Sequence, residues 1–139
     1  MTRGPAIVLT VLTALFLGRV AGQALVAFAD VPWLPPMEAW YSGLLPYPVL
    51  VVAQLAILSA QVTIDWRMWR GGGWLAAPRP RLGRALRVFA WIYALAMVLR
   101  WVLTRTHAIP IAFHGVLAAY LFTLGRVFSA VRTPRAADR

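Results

Sequence analysis

Four long apolar segments constrain the fold of this chain more than any other feature. They cover residues 6–29, 48–65, 86–104 and 109–131. A helix of about 20 apolar residues crosses the roughly 30 Å hydrocarbon core of a bilayer. Backbone groups in lipid must be satisfied within the spanning structure, and membrane β-strands would alternate over segments of about 10 residues. The pattern therefore predicts a single all-α membrane domain, a bundle of four transmembrane helices.

The composition excludes several classes of soluble protein. Of the 139 residues, 61% are hydrophobic and 13% are charged. In globular domains, roughly 45–50% of the residues are apolar and about 25% are charged. The net charge is +10, but the arginines lie between apolar segments, so we expect the lipid bilayer and no nucleic acid as a partner. The chain contains no cysteine, which excludes disulfides, thiolate metal sites and cysteine-based catalysis.

The arginines predict the orientation of the helices. The outer loop, residues 30–47, contains two acids and no arginine, whereas the central loop, residues 66–85, contains five arginines and the tail, residues 132–139, contains three. The positive-inside rule places the central loop and both termini in the cytoplasm. We therefore expect an antiparallel bundle in the inner membrane of a bacterium, with central-loop arginines against anionic lipid headgroups.

The first segment has an alternative interpretation as a cleaved signal peptide. Its Met-Thr-Arg start and the Ala27-Phe28-Ala29 sequence fit such a peptide. Arg19, however, interrupts the apolar run, and the stretch that follows is long for a cleavage region. The orientation of the other three segments is the same in both interpretations.

The outer loop predicts a short interfacial helix across the outer mouth of the bundle. Pro36 suits the first turn of a helix, and the helix is expected over Met37–Tyr41. Tryptophans such as Trp33 and Trp40 are typical anchors at the membrane interface. Glu38 is the single carboxylate of this helix.

Polar side chains within the apolar segments predict a site in the outer third of the membrane. At a rise of about 1.5 Å per residue, Arg19 and Arg100 lie about 20 Å from the cytoplasmic edge, and Gln54 and His114 lie about 8–9 Å below the outer edge. Gln23 lies one turn above Arg19, and Glu38 is the nearest carboxylate. The predicted ligand-binding set is Arg19, Gln23, Glu38, Gln54, Arg100 and His114.

This set has three interpretations. As a pocket open to the outside, it suits a carboxylate, a phosphate headgroup or a quinone carbonyl, because arginine offers a planar fork of donors. Alternatively, Arg19 and Arg100 pair with Glu38 or Asp30 and with backbone carbonyls, which fixes the bundle. In the third interpretation, Arg100 extends its side chain to the outer surface.

A second polar set is expected at the inner end. Asp65 is the acid nearest the inner edge, and Arg67, Arg87 and Arg126 lie at the same level, with Gln61 one turn away. We expect a structural ion-pair latch between Asp65 and these arginines. A proton relay is the alternative, which so many nearby cations disfavour.

Small residues recur at a spacing of four in the first segment, at Ala14, Gly18 and Gly22. Such residues allow the backbone of another membrane helix to approach closely. The stripe predicts packing within the chain, with contact to a second copy or to another membrane subunit as the alternative.

No pattern in the sequence names a reaction or a cofactor. His107 and His114 are too close along the chain for bis-histidine haem ligation within one molecule, although ligation across a dimer stays open. An enzyme is not predicted, and His114 would be its one plausible acid or base.

Our first hypothesis is a non-catalytic accessory or assembly subunit of a larger membrane complex. The alternative is binding or transport of an anionic or quinone-like amphiphile through the outer pocket.

Overall fold

A computed structural model describes residues 3–29, 31–40, 46–71, 75, 77–105 and 108–130, and most of these residues are helical. Five helices and no strand occur in these ranges: α1 (Arg3–Ala29), α2 (Met37–Trp40), α3 (Tyr47–Trp69), α4 (Pro80–Thr104) and α5 (Ala108–Ser129). All but α2 are long and apolar enough to cross a membrane. The prediction of an all-α chain with four helices of membrane-spanning length is confirmed. The tail, residues 132–139, lies outside the described residues.

The helices on either side of the central loop extend beyond the apolar segments. α3 continues to Trp69, and Gly71, with φ 94°, follows its end in a conformation that glycine adopts without strain. α4 begins at Pro80, where the missing N–H of proline costs nothing because first-turn donors have no partner in the helix. The loop is therefore shorter than the predicted range of 66–85, and some of its arginines lie on helices.

α1 lies between α3 and α5, and α4 packs against α5. The indole of Trp69, at the end of α3, donates a hydrogen bond to the hydroxyl of Thr10, near the start of α1, at 3.0 Å. At the opposite end of this pair, Gln54 Nε2 donates to Gln23 Oε1 at 3.0 Å. The start of each helix therefore lies beside the end of the other.

The backbones of α4 and α5 touch at two glycines. A Cβ atom on Gly83 would lie 2.6 Å from the carbonyl oxygen of Gly125, and one on Gly125 would lie 2.8 Å from the carbonyl oxygen of Gly83. No side chain fits at either position. Further along the same pair, the rings of Trp91 and Phe122 meet edge to face with centroids 6.0 Å apart.

The small residues predicted to form a stripe on α1, unlike Gly83 and Gly125, do not contact the backbone of another long helix. Ala14 and Gly18 are exposed, and a Cβ on Gly18 would meet nothing within 4 Å. Gly22 is buried, and its neighbour is the indole of Trp40 on α2. Close contact between long helices occurs instead at Gly83 and Gly125, in sequence that the hydropathy pattern partly assigns to a loop.

Polar side chains are buried along one interface, while apolar side chains cover much of the outer surface. Excluding tyrosine, the buried polar or charged side chains of the described residues are Thr13, Arg19 and Gln23 of α1 and Gln54, Gln61 and Asp65 of α3. Large apolar side chains of α4 are exposed, as at Ile92 and Leu103. This distribution suits helices surrounded by lipid rather than by water.

Candidate functional site

A cavity of about 90 Å³ lies where α1, α2, α3 and α5 meet. We call it the Arg19 cavity, because Arg19 is the arginine that lines it among the described residues. Gln54 of α3 and His114 of α5 supply the other strongly polar side chains. The remaining wall is apolar and aromatic: Phe16, Trp40, Leu50, Ala53, Ile57, Pro110, Phe113 and Leu117.

Arg19 is buried, with 8% of its surface exposed. Its Nη2 donates a hydrogen bond to the backbone carbonyl of Trp40 at 3.3 Å. Within the described ranges, no acidic side chain lies within ion-pair distance of this guanidinium. Glu38 is exposed on α2, and Asp30 lies outside the described residues. The other guanidinium donors are therefore available to a group in the cavity.

Trp40 closes the cavity on the side of the outer loop. Its indole Nε1 donates to the carbonyl of Pro35 at 2.9 Å, and 8% of the residue is exposed. A Cβ on Gly22 would lie 2.7 Å from Cη2 of this indole. The absence of a side chain at Gly22 is thus what lets α2 lie against α1.

Gln23 and Gln54 form a buried amide pair beside the Arg19 cavity. Gln54 lines the cavity, and it donates from Nε2 to Oε1 of Gln23. Gln23 has no exposed surface, and its own Nε2 has no hydrogen-bond partner among the described residues. The pair therefore holds α1 and α3 together and leaves one amide donor unused.

His114 is held by a residue that the sequence analysis missed. Its Nδ1 makes a hydrogen bond with the hydroxyl of Tyr93 on α4, and the two rings meet edge to face with centroids 5.5 Å apart. Arg19 and Arg100 both lie within electrostatic range of the imidazole. Buried tyrosine hydroxyls usually find a polar partner, so Tyr93 within an apolar segment was the signal for this contact.

The predicted outer set is brought together in part. Arg19, Gln54 and His114 share the cavity wall, and Gln23 is bonded to Gln54. Arg100 is partly exposed and does not line the cavity. It lies seven residues further along α4 than Tyr93, which is about 10 Å at the helical rise and therefore nearer the end of the helix.

No known protein family, curated protein or solved structure matches this chain.

In the predicted inner set, the acid Asp65 bonds to Tyr120. Asp65 is 6% exposed and accepts a hydrogen bond from the Tyr120 hydroxyl at 3.1 Å. Arg67 and Arg126 are exposed, and Arg87 packs at the α4–α5 contact beside Gly125. None of these three arginines lies within ion-pair distance of Asp65 in the described structure. In place of the expected ion-pair latch, the acid has a neutral hydrogen-bond donor.

Among the described residues, no group of three or more His, Cys, Asp or Glu side chains could hold a metal ion. His107, the second histidine considered for haem ligation, lies outside those residues.

Proposed function

We propose that the protein crosses the inner membrane of a bacterium four times and binds the anionic head group of an amphiphile in the Arg19 cavity. Both termini and the central loop lie in the cytoplasm, and the four long helices run antiparallel. The distribution of arginines between the loops supports this orientation. With this orientation, the cavity lies in the outer half of the membrane.

One observation carries the proposal: Arg19 is a buried cation that no acidic side chain neutralises among the described residues. An arginine near the bilayer centre costs about 2.5–3.5 kcal/mol on insertion scales. Arginine in such a place usually pairs with an anion or with backbone carbonyls, and one carbonyl bond at 3.3 Å uses one of its five donors. Its planar fork matches the two oxygen atoms of a carboxylate or phosphate.

The size of the cavity limits what it encloses. Its volume is about 90 Å³. Pockets that enclose a whole small molecule are about 300–1,000 Å³. The Arg19 cavity therefore suits a carboxylate or phosphate group whose chain stays in the lipid.

The test measures binding of dodecyl phosphate to the protein in zwitterionic nanodiscs by the change in tryptophan fluorescence. We expect saturable binding that weakens about tenfold or more in Arg19→Gln, because a hydrogen bond to a charged group contributes about 1.5–3 kcal/mol. Arg3→Gln is the matched control, since it removes one positive charge from an exposed position of the same helix. Equal affinity in Arg19→Gln and Arg3→Gln would refute the proposal.

A second candidate function is that of an accessory or assembly subunit. It is favoured by the exposed Ala14 and Gly18 on α1, where the surface is open to a neighbouring helix. Native electrophoresis of membranes in mild detergent tests it. We expect a complex larger than the 15.4 kDa chain, lost in Gly18→Leu. A free monomer at native expression would contradict this candidate.

A further inference from the structure

We propose that a second site, at the Asp65 end of the α1–α3 interface, binds a small monovalent cation such as Na⁺. Its ligands are oxygen atoms of Asp65 and Gln61 on α3 and of Thr13 on α1. We call these residues, together with Tyr120, the Asp65 cluster. This site is separate from the Arg19 cavity and does not depend on the function proposed for that cavity.

Three helices bring the oxygen atoms of the Asp65 cluster together. Gln61 and Asp65 are four residues apart, so they lie on the same face of α3 one turn from each other. The hydroxyl of Tyr120 on α5 lies 3.1 Å from Asp65 Oδ1 and 3.3 Å from the backbone carbonyl oxygen of Gln61. The Thr13 side chain faces both Asp65 and Tyr120 from α1.

Several polar atoms of the cluster are buried without a partner. Gln61 is 2% exposed, and neither Oε1 nor Nε2 of its amide has a hydrogen-bond partner among the described residues. Thr13 Oγ1 also lacks a partner in full hydrogen-bonding geometry, although it lies near both Asp65 and Tyr120. Buried polar atoms are nearly always satisfied, and the exceptions point to a bound ion or water. A cation with a water in its coordination shell satisfies the two oxygens directly and the amide nitrogen through that water.

The charge of Asp65 indicates which kind of ion the site binds. Asp65 is buried, and the group that donates a hydrogen bond to it is the neutral phenol of Tyr120. A carboxylate within a membrane domain is costly unless a positive charge accompanies it. One carboxylate balances one monovalent cation, whereas a divalent ion would leave an excess positive charge in a low-dielectric region. Carboxylate, carbonyl and hydroxyl oxygens are hard ligands, which suit Na⁺ and not the metals that prefer imidazole or thiolate.

Tyr120 acts as a positioning residue in this site. Its hydroxyl donates to Oδ1 of Asp65 and so fixes the plane of the carboxylate. The oxygen that is not bonded to Tyr120 remains available to the cation. Hydrogen bonds of this kind typically contribute about 10–100-fold to metal affinity.

The test measures thermal unfolding of the purified protein in zwitterionic nanodiscs by intrinsic tryptophan fluorescence. NaCl is titrated against choline chloride at constant total salt and constant pH. Because a ligand that binds only the folded state stabilises it by RT ln(1 + [L]/Kd), we expect Tm to rise saturably with Na⁺ and not with choline. Asp65→Asn should abolish the rise, and Thr13→Val and Gln61→Leu should each raise the half-saturating Na⁺ concentration about tenfold or more.

Two further variants separate a site from a general salt effect. Thr63→Val is the matched control for Thr13→Val, because Thr63 is exposed on α3, and it should keep the wild-type response. Tyr120→Phe should weaken Na⁺ binding without abolishing it. If Asp65→Asn does not fold, the comparison of Thr13→Val with Thr63→Val carries the test. Equal Tm values in Na⁺ and choline, a Tm that follows pH but not Na⁺, or an unchanged half-saturation in Thr13→Val and Gln61→Leu would each overturn the proposal.

Discussion

Nη2 of Arg19 donates a hydrogen bond to the backbone carbonyl oxygen of Trp40 at 3.3 Å. This bond joins the buried arginine of α1 to the short helix of the outer loop. The same loop helix packs its indole on Gly22, one turn beyond Arg19. Arg19, Gly22 and Trp40 therefore form one structural unit, and changes in any of them should affect the Arg19 cavity.

Substitution of Gly22 tests the position of Trp40. A Cβ at Gly22 would lie 2.7 Å from the indole, so Gly22→Ala should destabilise the protein by about 1–3 kcal/mol through overpacking. Gly18→Ala is the matched control on the same helix, and it should be neutral or slightly stabilising, since alanine favours helix over glycine by about 0.5–1 kcal/mol. A denaturing-detergent titration measures the free energy of unfolding of both variants. Equal stability of the two variants would place Trp40 elsewhere.

The contact between α4 and α5 predicts how a second pair of glycine substitutions affects stability. Gly125→Ala would bring a Cβ to 2.8 Å from the carbonyl oxygen of Gly83. Backbone atoms cannot move aside as easily as the end of a side chain. We therefore expect the free energy of unfolding to fall by about 1–3 kcal/mol or more. Gly115→Ala, on the same helix with nothing within 4 Å, should cause no loss. The same detergent titration compares them, and a stable Gly125→Ala would show that the helices do not touch there.

The amide pair between α1 and α3 predicts a measurable coupling. Gln54 Nε2 donates to Gln23 Oε1 at 3.0 Å, and either single change to leucine leaves a buried polar group without its partner. In a double-mutant cycle of Gln23→Leu and Gln54→Leu, we expect a coupling of about 0.6 kcal/mol, with about 1.7 kcal/mol as the upper end for membrane proteins. Strictly additive losses would mean that the pair is not formed in the bilayer.

Absence of cysteine from the chain makes the orientation directly testable. Pro32 in the outer loop and Ala77 in the central loop are both exposed. In intact cells with a permeabilised outer membrane, a membrane-impermeant maleimide should label Pro32→Cys and not Ala77→Cys. In inside-out vesicles, Ala77→Cys should react instead. The reverse pattern would invert the proposed orientation.

Hydropathy predicted the helices well because segment length is a direct signal of a membrane span. The four long helices contain the apolar segments, apart from the last residues of the fourth, and Pro36 correctly preceded the short α2. Depth along each segment grouped Arg19, Gln54 and His114, and the structure brings these side chains to one cavity. These features depend on position along a helix axis, which the count of residues supplies.

Rotation of each helix about its axis was not predictable in the same way. The long helices are apolar on most of their surface, so no apolar stripe marks the packed face. For this reason the sequence did not predict that Tyr93 is the partner of His114 or that Tyr120 is the partner of Asp65. Gly83 was missed because an arginine-rich sequence surrounds it, although it lies within α4.

Photolabelling tests whether an anionic head group binds in the Arg19 cavity. An alkyl phosphate with a photoreactive group next to the phosphate is irradiated with the protein in nanodiscs, and peptide mass spectrometry locates the adduct. We predict labelling of cavity residues such as Phe16, Trp40 and Phe113, strongly reduced in Arg19→Gln and unchanged in Arg3→Gln. Labelling confined to the arginines near the start of α4, with none in the cavity, would contradict binding of the head group in the Arg19 cavity.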